Sequence, residues 1–379
     1  MKQRTPPGLA FLDDALARAQ REHLLRVRPA AVHPGTLCFC SNDYLGLASH
    51  LARPLASGAG ASRLVSGEQA IHRELEATAA ALVAQPAALA FSSGYAANVG
   101  LVSSLAGPDD LIISDALNHA SLIDGARLSK ATVRVVPHLD LDAAAHALTQ
   151  RRRGRAFVVT ESYFSMDADA PDLRRLRALC DAHEAALVVD EAHALGVLGP
   201  DGRGLCAGAG IQPDALVGTF GKAFGAGGAF VAGCQALVAW LWNRARSFVF
   251  STGLSPVLAA AALDGLHAAT REPVRREAVL ERANHLRARL TALGLVLRGF
   301  GPIVPWIVGQ PELALRLAAR LAEQGLDVRA IRPPSVAPGT ARLRLTVCAS
   351  HTEADVDRLV DGVGVALREV PECRAAWSS

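Results

Sequence analysis

Between about residue 69 and residue 232, short apolar runs rich in Val, Ile and Ala alternate with longer stretches in which apolar residues recur every three or four positions. The runs at 88–91, 111–114, 132–136, 156–160, 186–189, 216–219 and 229–231 predict seven strands. Runs this uniformly apolar suit strands buried on both faces, and the stretches between them suit helical crossovers. The pattern therefore predicts an α/β architecture, a large, mostly parallel sheet covered by helices on both sides. Ligands of such sheets gather beyond the carboxyl ends of the strands. There this sequence turns polar, at Ser92-Ser93-Gly94, Ser114-Asp115, Glu161-Ser162, Asp190-Glu191 and Gly221-Lys222.

After Gly233 the period changes. Helices are expected at 235–249, 256–270 and 273–293, followed by strands at 295–298, 303–308, 328–331 and 341–347 and helices near 312–324 and 352–368. This alternation predicts a smaller C-terminal α+β domain. The division expected is an N-terminal helical arm over 1–41, a large domain over 42–280 and a small domain over 281–379.

Composition narrows the function. With half its 379 residues hydrophobic and 20% charged, the chain has the balance of a packed globular protein and not of a disordered one. A net charge of +3 is too small to argue for a nucleic acid or an anionic membrane as partner. The seven cysteines are odd in number, scattered and without a C-x-x-C pair, which speaks against a disulfide framework or a structural zinc site and for a reducing cytoplasm. No apolar run approaches the roughly 18 residues of a membrane span.

Only three lysines, Lys2, Lys130 and Lys222, stand among 39 basic residues, so each invites a reason for not being arginine. Lys222 lies in Thr219-Phe220-Gly221-Lys222, just past a buried strand. Partial burial there lowers an amine's pKa and lets the neutral form make an imine with a carbonyl compound. Asp190 ends another strand in Val189-Asp190-Glu191-Ala192-His193. A buried carboxylate needs a cationic partner, and a protonated pyridine nitrogen is one that keeps its ring an electron sink. Ser93-Gly94-Tyr95 reads as a turn into a helix, whose N–H groups suit a phosphate. His119, in Asn118-His119-Ala120-Ser121, can stack on a ring or donate to a carbonyl, and Ser165 can donate to a phenolic oxygen. Each also has a plainer use: a surface turn for Lys222, a helix cap for Asp190 or Ser93, a structural hydrogen bond for His119. Asp190 and His193 have metal-ligand spacing but no third ligand nearby in sequence. Gly58-Ala59-Gly60 starts like a dinucleotide fingerprint and lacks the third glycine, which weakens the reading as an NAD-dependent oxidoreductase.

In order and spacing these motifs, with Ser41-Asn42-Asp43-Tyr44-Leu45-Gly46, the glycine-rich segment 58–67 and Arg332-Pro333-Pro334-Ser335, resemble the α-oxoamine synthases over nearly the whole chain. That family is a branch of the fold-type I pyridoxal phosphate (PLP) transferases. The resemblance implies that Lys222 holds the cofactor covalently, Asp190 pairs with its ring nitrogen, His193 and Ser165 contact its phenolic oxygen, and His119 stacks on the ring. It implies that Gly94, Tyr95 and Thr219 hold the phosphate, with Ser251 and Thr252 supplied by the other subunit of a homodimer. Arg332 would bind an amino acid carboxylate, while Arg26, Asn42 and Ser335 line the substrate site. The stretches 330–336 and 342–346 look most like the biotin-pathway members, which implies L-alanine and a pimeloyl thioester, carried by coenzyme A or an acyl carrier protein, as substrates. Ser335, Ala194 and Tyr95 depart from the family's usual Thr, Gly or Ser, and Phe; Ser335 keeps the hydroxyl. A sister enzyme taking glycine or serine is the nearest alternative.

Overall fold

A computed structural model of the chain describes residues 17–25, 35–47, 57–151, 153–370 and 372–375. They form two compact units. The larger holds Asn42–Leu280 with Cys348–Ser350; the smaller holds the described residues before Asn42, Glu281–Val347 and those from His351 onward.

The larger unit is built on β2 (Ala87–Phe91), β3 (Leu111–Asp115), β4 (Thr132–Val136), β5 (Ala156–Glu161), β6 (Ala185–Asp190), β7 (Ala215–Thr219) and β8 (Ala229–Gly233). They make one seven-stranded sheet in the order β2-β8-β7-β6-β5-β3-β4. The pairs among β3, β4, β5, β6 and β7 are parallel, whereas β8 runs antiparallel to both β2 and β7. The exception has a simple cause. The connection at 220–228 is shorter than the dozen or so residues that a parallel crossover needs, so the chain can only turn back on itself. Lys222 sits in that turn.

Both faces of the sheet are packed. Val188 faces a core with Leu89, Leu101, Ile112 and Phe248, while its neighbours Leu187 and Val189 face a second core with Ile113, Val158 and Leu176. The two-residue period of a strand sorts one apolar run onto two cores. Helix Pro256–Arg271 packs so closely on the Lys222 turn that a Cβ added at Gly265 would lie 2.0 Å from the Phe224 carbonyl oxygen.

In the smaller unit β1 (Leu37–Cys38) pairs in parallel with β10 (Leu326–Asp327), and β11 (Arg329–Ile331), β12 (Ala341–Thr346) and β9 (Ile303–Gly309) form an antiparallel sheet. Helices Pro311–Glu323 and Glu353–Glu369 share a core with Phe39, Trp306 and Leu343. Two expectations need correction. No strand forms at 295–298, where Val296 is exposed and Gly294, Gly299 and Gly301 take positive φ. Helix 235–249 breaks at Ala245, whose backbone is extended. The pair β1 and β10 is too short to show as a run in the sequence. Among the described residues no helix is long and apolar enough to cross a membrane.

Candidate active site

The parallel register brings strand ends to one edge. Glu161 and Asp190 are cross-strand partners at the carboxyl ends of β5 and β6, and Asp115 and Thr219 end β3 and β7. All four are buried. Burying a carboxylate is tolerable only where hydrogen bonds or charges replace water, and each acid solves this differently. Asp115 accepts from the N–H groups of Leu117 and Leu139 and meets His138 at 2.9 Å. Glu161 accepts from the His119 N–H at 2.7 Å. Burial and then the Asp190 charge push its pKa up to about 8, against the pull of Lys222 and that N–H group.

Asp190 is held by Asn98 Nδ2, which donates to Oδ2 at 2.7 Å, and by the Ala192 N–H, which donates to Oδ1 at 2.8 Å. Both partners are neutral. The second hydrogen of Asn98 Nδ2 goes to Ser121 Oγ at 2.9 Å. Ser121 Oγ therefore accepts from Asn98 and turns its own hydrogen to His119 Nδ1, 2.8 Å away. The Ser121 N–H also points at Nδ1. With Nδ1 accepting, a neutral His119 carries its proton on Nε2. Burial, reinforced by Lys222 and opposed by Asp190, lowers the imidazole's pKa and keeps it in that neutral form. Lys222, Asp190, Glu161 and His119 thus share one electrostatic neighbourhood.

Helix Gly94–Leu105 starts at the end of β2, with the Ser93 side chain capping Ala96 N at 3.1 Å. A Cβ built on Gly94 would lie 4.0 Å from Thr219 Oγ1, so this helix start abuts the end of β7. Tyr95 is exposed and its hydroxyl donates to Asp124, which leaves its backbone as the part suited to an anion. His193 Nδ1 lies 2.9 Å from Tyr44 Oη, which donates to Asn42 Oδ1 at 3.2 Å. Ser165 lies in the loop after β5. Ser251 and Thr252 line a narrow cavity with Arg63, Ser92 and Ser247. Arg332 and Ser335 belong to the smaller unit, where the buried Arg332 Nη1 donates to the His23 carbonyl and Ser335 is exposed. Arg26 lies outside the described residues.

Sequence reasoning marked Glu161 only as a polar strand end and gave no role to it or to the supports Asn98, Ser121 and Tyr44. Glu161 carried one signal, a charged residue closing an otherwise apolar strand; the others become visible only as contacts.

A buried carboxylate held by neutral donors, a turn lysine and a helix start meeting a threonine are what a cationic, phosphorylated heterocycle with an aldehyde needs. The residues fit pyridoxal phosphate. A family model for aminotransferase class I and II matches residues 35–363. The chain belongs to the aminotransferase class I and II family. It is 46% identical over 344 residues to the 8-amino-7-oxononanoate synthase of Anaeromyxobacter dehalogenans (strain 2CP-1), spanning 88% of this chain and 86% of that protein. It is likewise 46% identical over 385 residues to the 8-amino-7-oxononanoate synthase of Bordetella petrii, spanning 93% and 96%. A solved structure of SPT with its PLP internal aldimine matches with a TM-score of 0.90 at 27% identity, over 97% of this chain and 100% of that one. The expected fold type and the α-oxoamine synthase resemblance are both borne out.

Proposed function

We propose that this enzyme joins L-alanine to a pimeloyl thioester to give 8-amino-7-oxononanoate, carbon dioxide and a free thiol, a step of biotin synthesis. The observation that carries the reading is 46% identity to synthases of that name over nearly the full length of both chains. A bond forms between the alanine α-carbon and the acyl carbonyl carbon, the carbon–sulfur bond breaks, and the alanine carboxylate leaves as carbon dioxide.

Pyridoxal phosphate, when bound, supplies an aldehyde that captures amines and a ring that takes up the electron pair released at the α-carbon. Lys222 would hold the cofactor through Nζ, and that same nitrogen, as a free amine, would take the α-proton of alanine. Asp190 keeps a proton on the ring nitrogen, and Asn98 with the Ala192 N–H holds the carboxylate in place for it. His119 would stack against the ring of the bound cofactor and would offer Nε2–H to the thioester carbonyl oxygen as negative charge develops there. The Gly94 and Tyr95 N–H groups and Thr219 bind the phosphate, joined by Ser251 and Thr252 of the partner subunit; His193 and Ser165 serve the phenolic oxygen. Arg332 takes the alanine carboxylate, and Arg26, Asn42 and Ser335 line the substrate site. A homodimer is supported by Phe250, 73% exposed beside Ser251, and by exposed Leu64 and Val65. Seven free thiols support a cytoplasmic setting. The acyl carrier is coenzyme A or an acyl carrier protein.

The test is mass spectrometry of products after incubation with cofactor, pimeloyl thioester and alanine, glycine or serine in turn. Carbon dioxide release with alanine alone is expected; preference for glycine or serine assigns a sister reaction instead. Lys222→Ala should lose the visible cofactor band and turnover together, and a variant with normal turnover removes Lys222 from the mechanism.

A further inference from the structure

Cys38 and Cys40 belong to the smaller unit and take no part in the proposed chemistry. The parallel pairing of β1 with β10 sets Cys38 against Asp327. Two residues on, after a bend, Cys40 returns its side chain to the same place, and the two sulfurs stand 3.7 Å apart. The two sulfurs and a carboxylate oxygen of Asp327 all lie within 4.8 Å of one another. A tetrahedral ion with metal–sulfur bonds of about 2.3 Å needs its sulfurs about 3.8 Å apart. The observed 3.7 Å corresponds to a sulfur–metal–sulfur angle of about 107° at that bond length, close to tetrahedral for the two sulfurs as they stand.

Charge fits as well. Two thiolates and Asp327 carry three negative charges, and Arg329, whose Nε lies 2.9 Å from Asp327 Oδ1, returns one positive charge. The remaining two match a divalent cation. Cys38 is exposed, which gives an ion a way in, and the other cysteines are not grouped with it: Cys180, Cys206, Cys348 and Cys373 are buried and Cys234 caps a helix.

We propose that Cys38, Cys40 and Asp327 form a binding site for a thiophilic divalent cation of the zinc type, with water as fourth ligand, that clamps β1 to β10. The sequence had argued against structural zinc because no C-x-x-C pair is present; the third ligand comes from a strand far along the chain.

The test uses the full-length, cofactor-loaded protein, reduced, stripped with chelator and titrated anaerobically with cobalt(II). Expected are one equivalent bound with intense tetrahedral d–d bands and a thiolate-to-cobalt charge-transfer band, bleached by zinc, and a thermal midpoint that zinc raises. Cys38→Ser and Cys40→Ser should each weaken binding at least about 100-fold, more than loss of an outer-shell partner costs, and Asp327→Asn should weaken it less. Cys234→Ser should leave it unchanged. Retained turnover in Cys38→Ser shows that the variant is folded. A charge-transfer band that survives in the Cys38→Ser, Cys40→Ser double variant, or a reduced wild type that shows none, overturns the proposal.

Discussion

Replacing Asn98 with alanine isolates the support that Asp190 receives from the helix behind it. Asn98 is buried and its Nδ2 donates to a carboxylate oxygen at 2.7 Å. A hydrogen bond to a charged group contributes about 1.5–3 kcal/mol, which at about 1.4 kcal/mol per decade is a factor of about 10 to 150. Because the role proposed for the carboxylate is at the ring nitrogen, the loss belongs in kcat and in cofactor affinity, while the KM for alanine changes little. The same substitution frees Ser121 Oγ and so loosens His119, which adds to the loss in kcat. Asn98→Asp is the shape-preserving companion. At low pH its carboxyl holds a proton and can still donate to Asp190; as pH rises the proton leaves and two adjacent charges remain. Its kcat should therefore fall with rising pH over a range where the wild type is flat. The assays are steady-state kinetics across pH and titration of the visible cofactor band. If Asn98→Ala keeps wild-type kcat and an unshifted absorbance profile, the reasoning that Asn98 positions Asp190 is wrong.

Glu161→Gln should keep most activity at pH 7, because burial already holds the acid near 8 and largely protonated. In the cofactor-free protein, wild-type stability should fall as pH rises from about 4.5 through 8, since only the unfolded chain ionises freely there, and Glu161→Gln should remove that slope in urea titrations. Burial works against a charged His138, yet Asp115 and Asp169 outweigh it and raise the ring to about 10. That stabilisation is complete below the unfolded value of about 6.5 and is lost as pH rises through 10, so the urea midpoints of wild type and His138→Gln should converge across that window. Breaking this pair below pH 6.5 should cost about 3–5 kcal/mol. Gly265→Ala should cost about 1–3 kcal/mol by forcing its methyl into the Phe224 carbonyl. It should also lower cofactor affinity through the Lys222 turn, which a binding titration reads directly.

Strand ends and the candidate lysine were legible because both are local. A strand's two-residue period and a polar residue closing an apolar run are visible in a handful of positions, which is why six of the seven sheet strands lie within one residue of expectation and β8 runs two further, to Gly233. The segment 295–298 misled for the converse reason: an apolar run forms a strand only where another strand's edge is free to pair with it, and no run records that.

What the chain alone determined, then, was the α/β pattern, the turn that carries Lys222 and the acids that close the strands. It did not determine how those acids differ. Glu161 and Asp190 end adjacent strands in equivalent positions, and only the folded register gives one a backbone N–H, leaving it near 8, and the other an asparagine 92 residues away. The energy of a buried charge depends on the few groups within hydrogen-bond reach, and those groups arrive from distant segments. The same holds for Cys38 and Cys40, unremarkable in sequence until a parallel pairing sets Asp327 beside them.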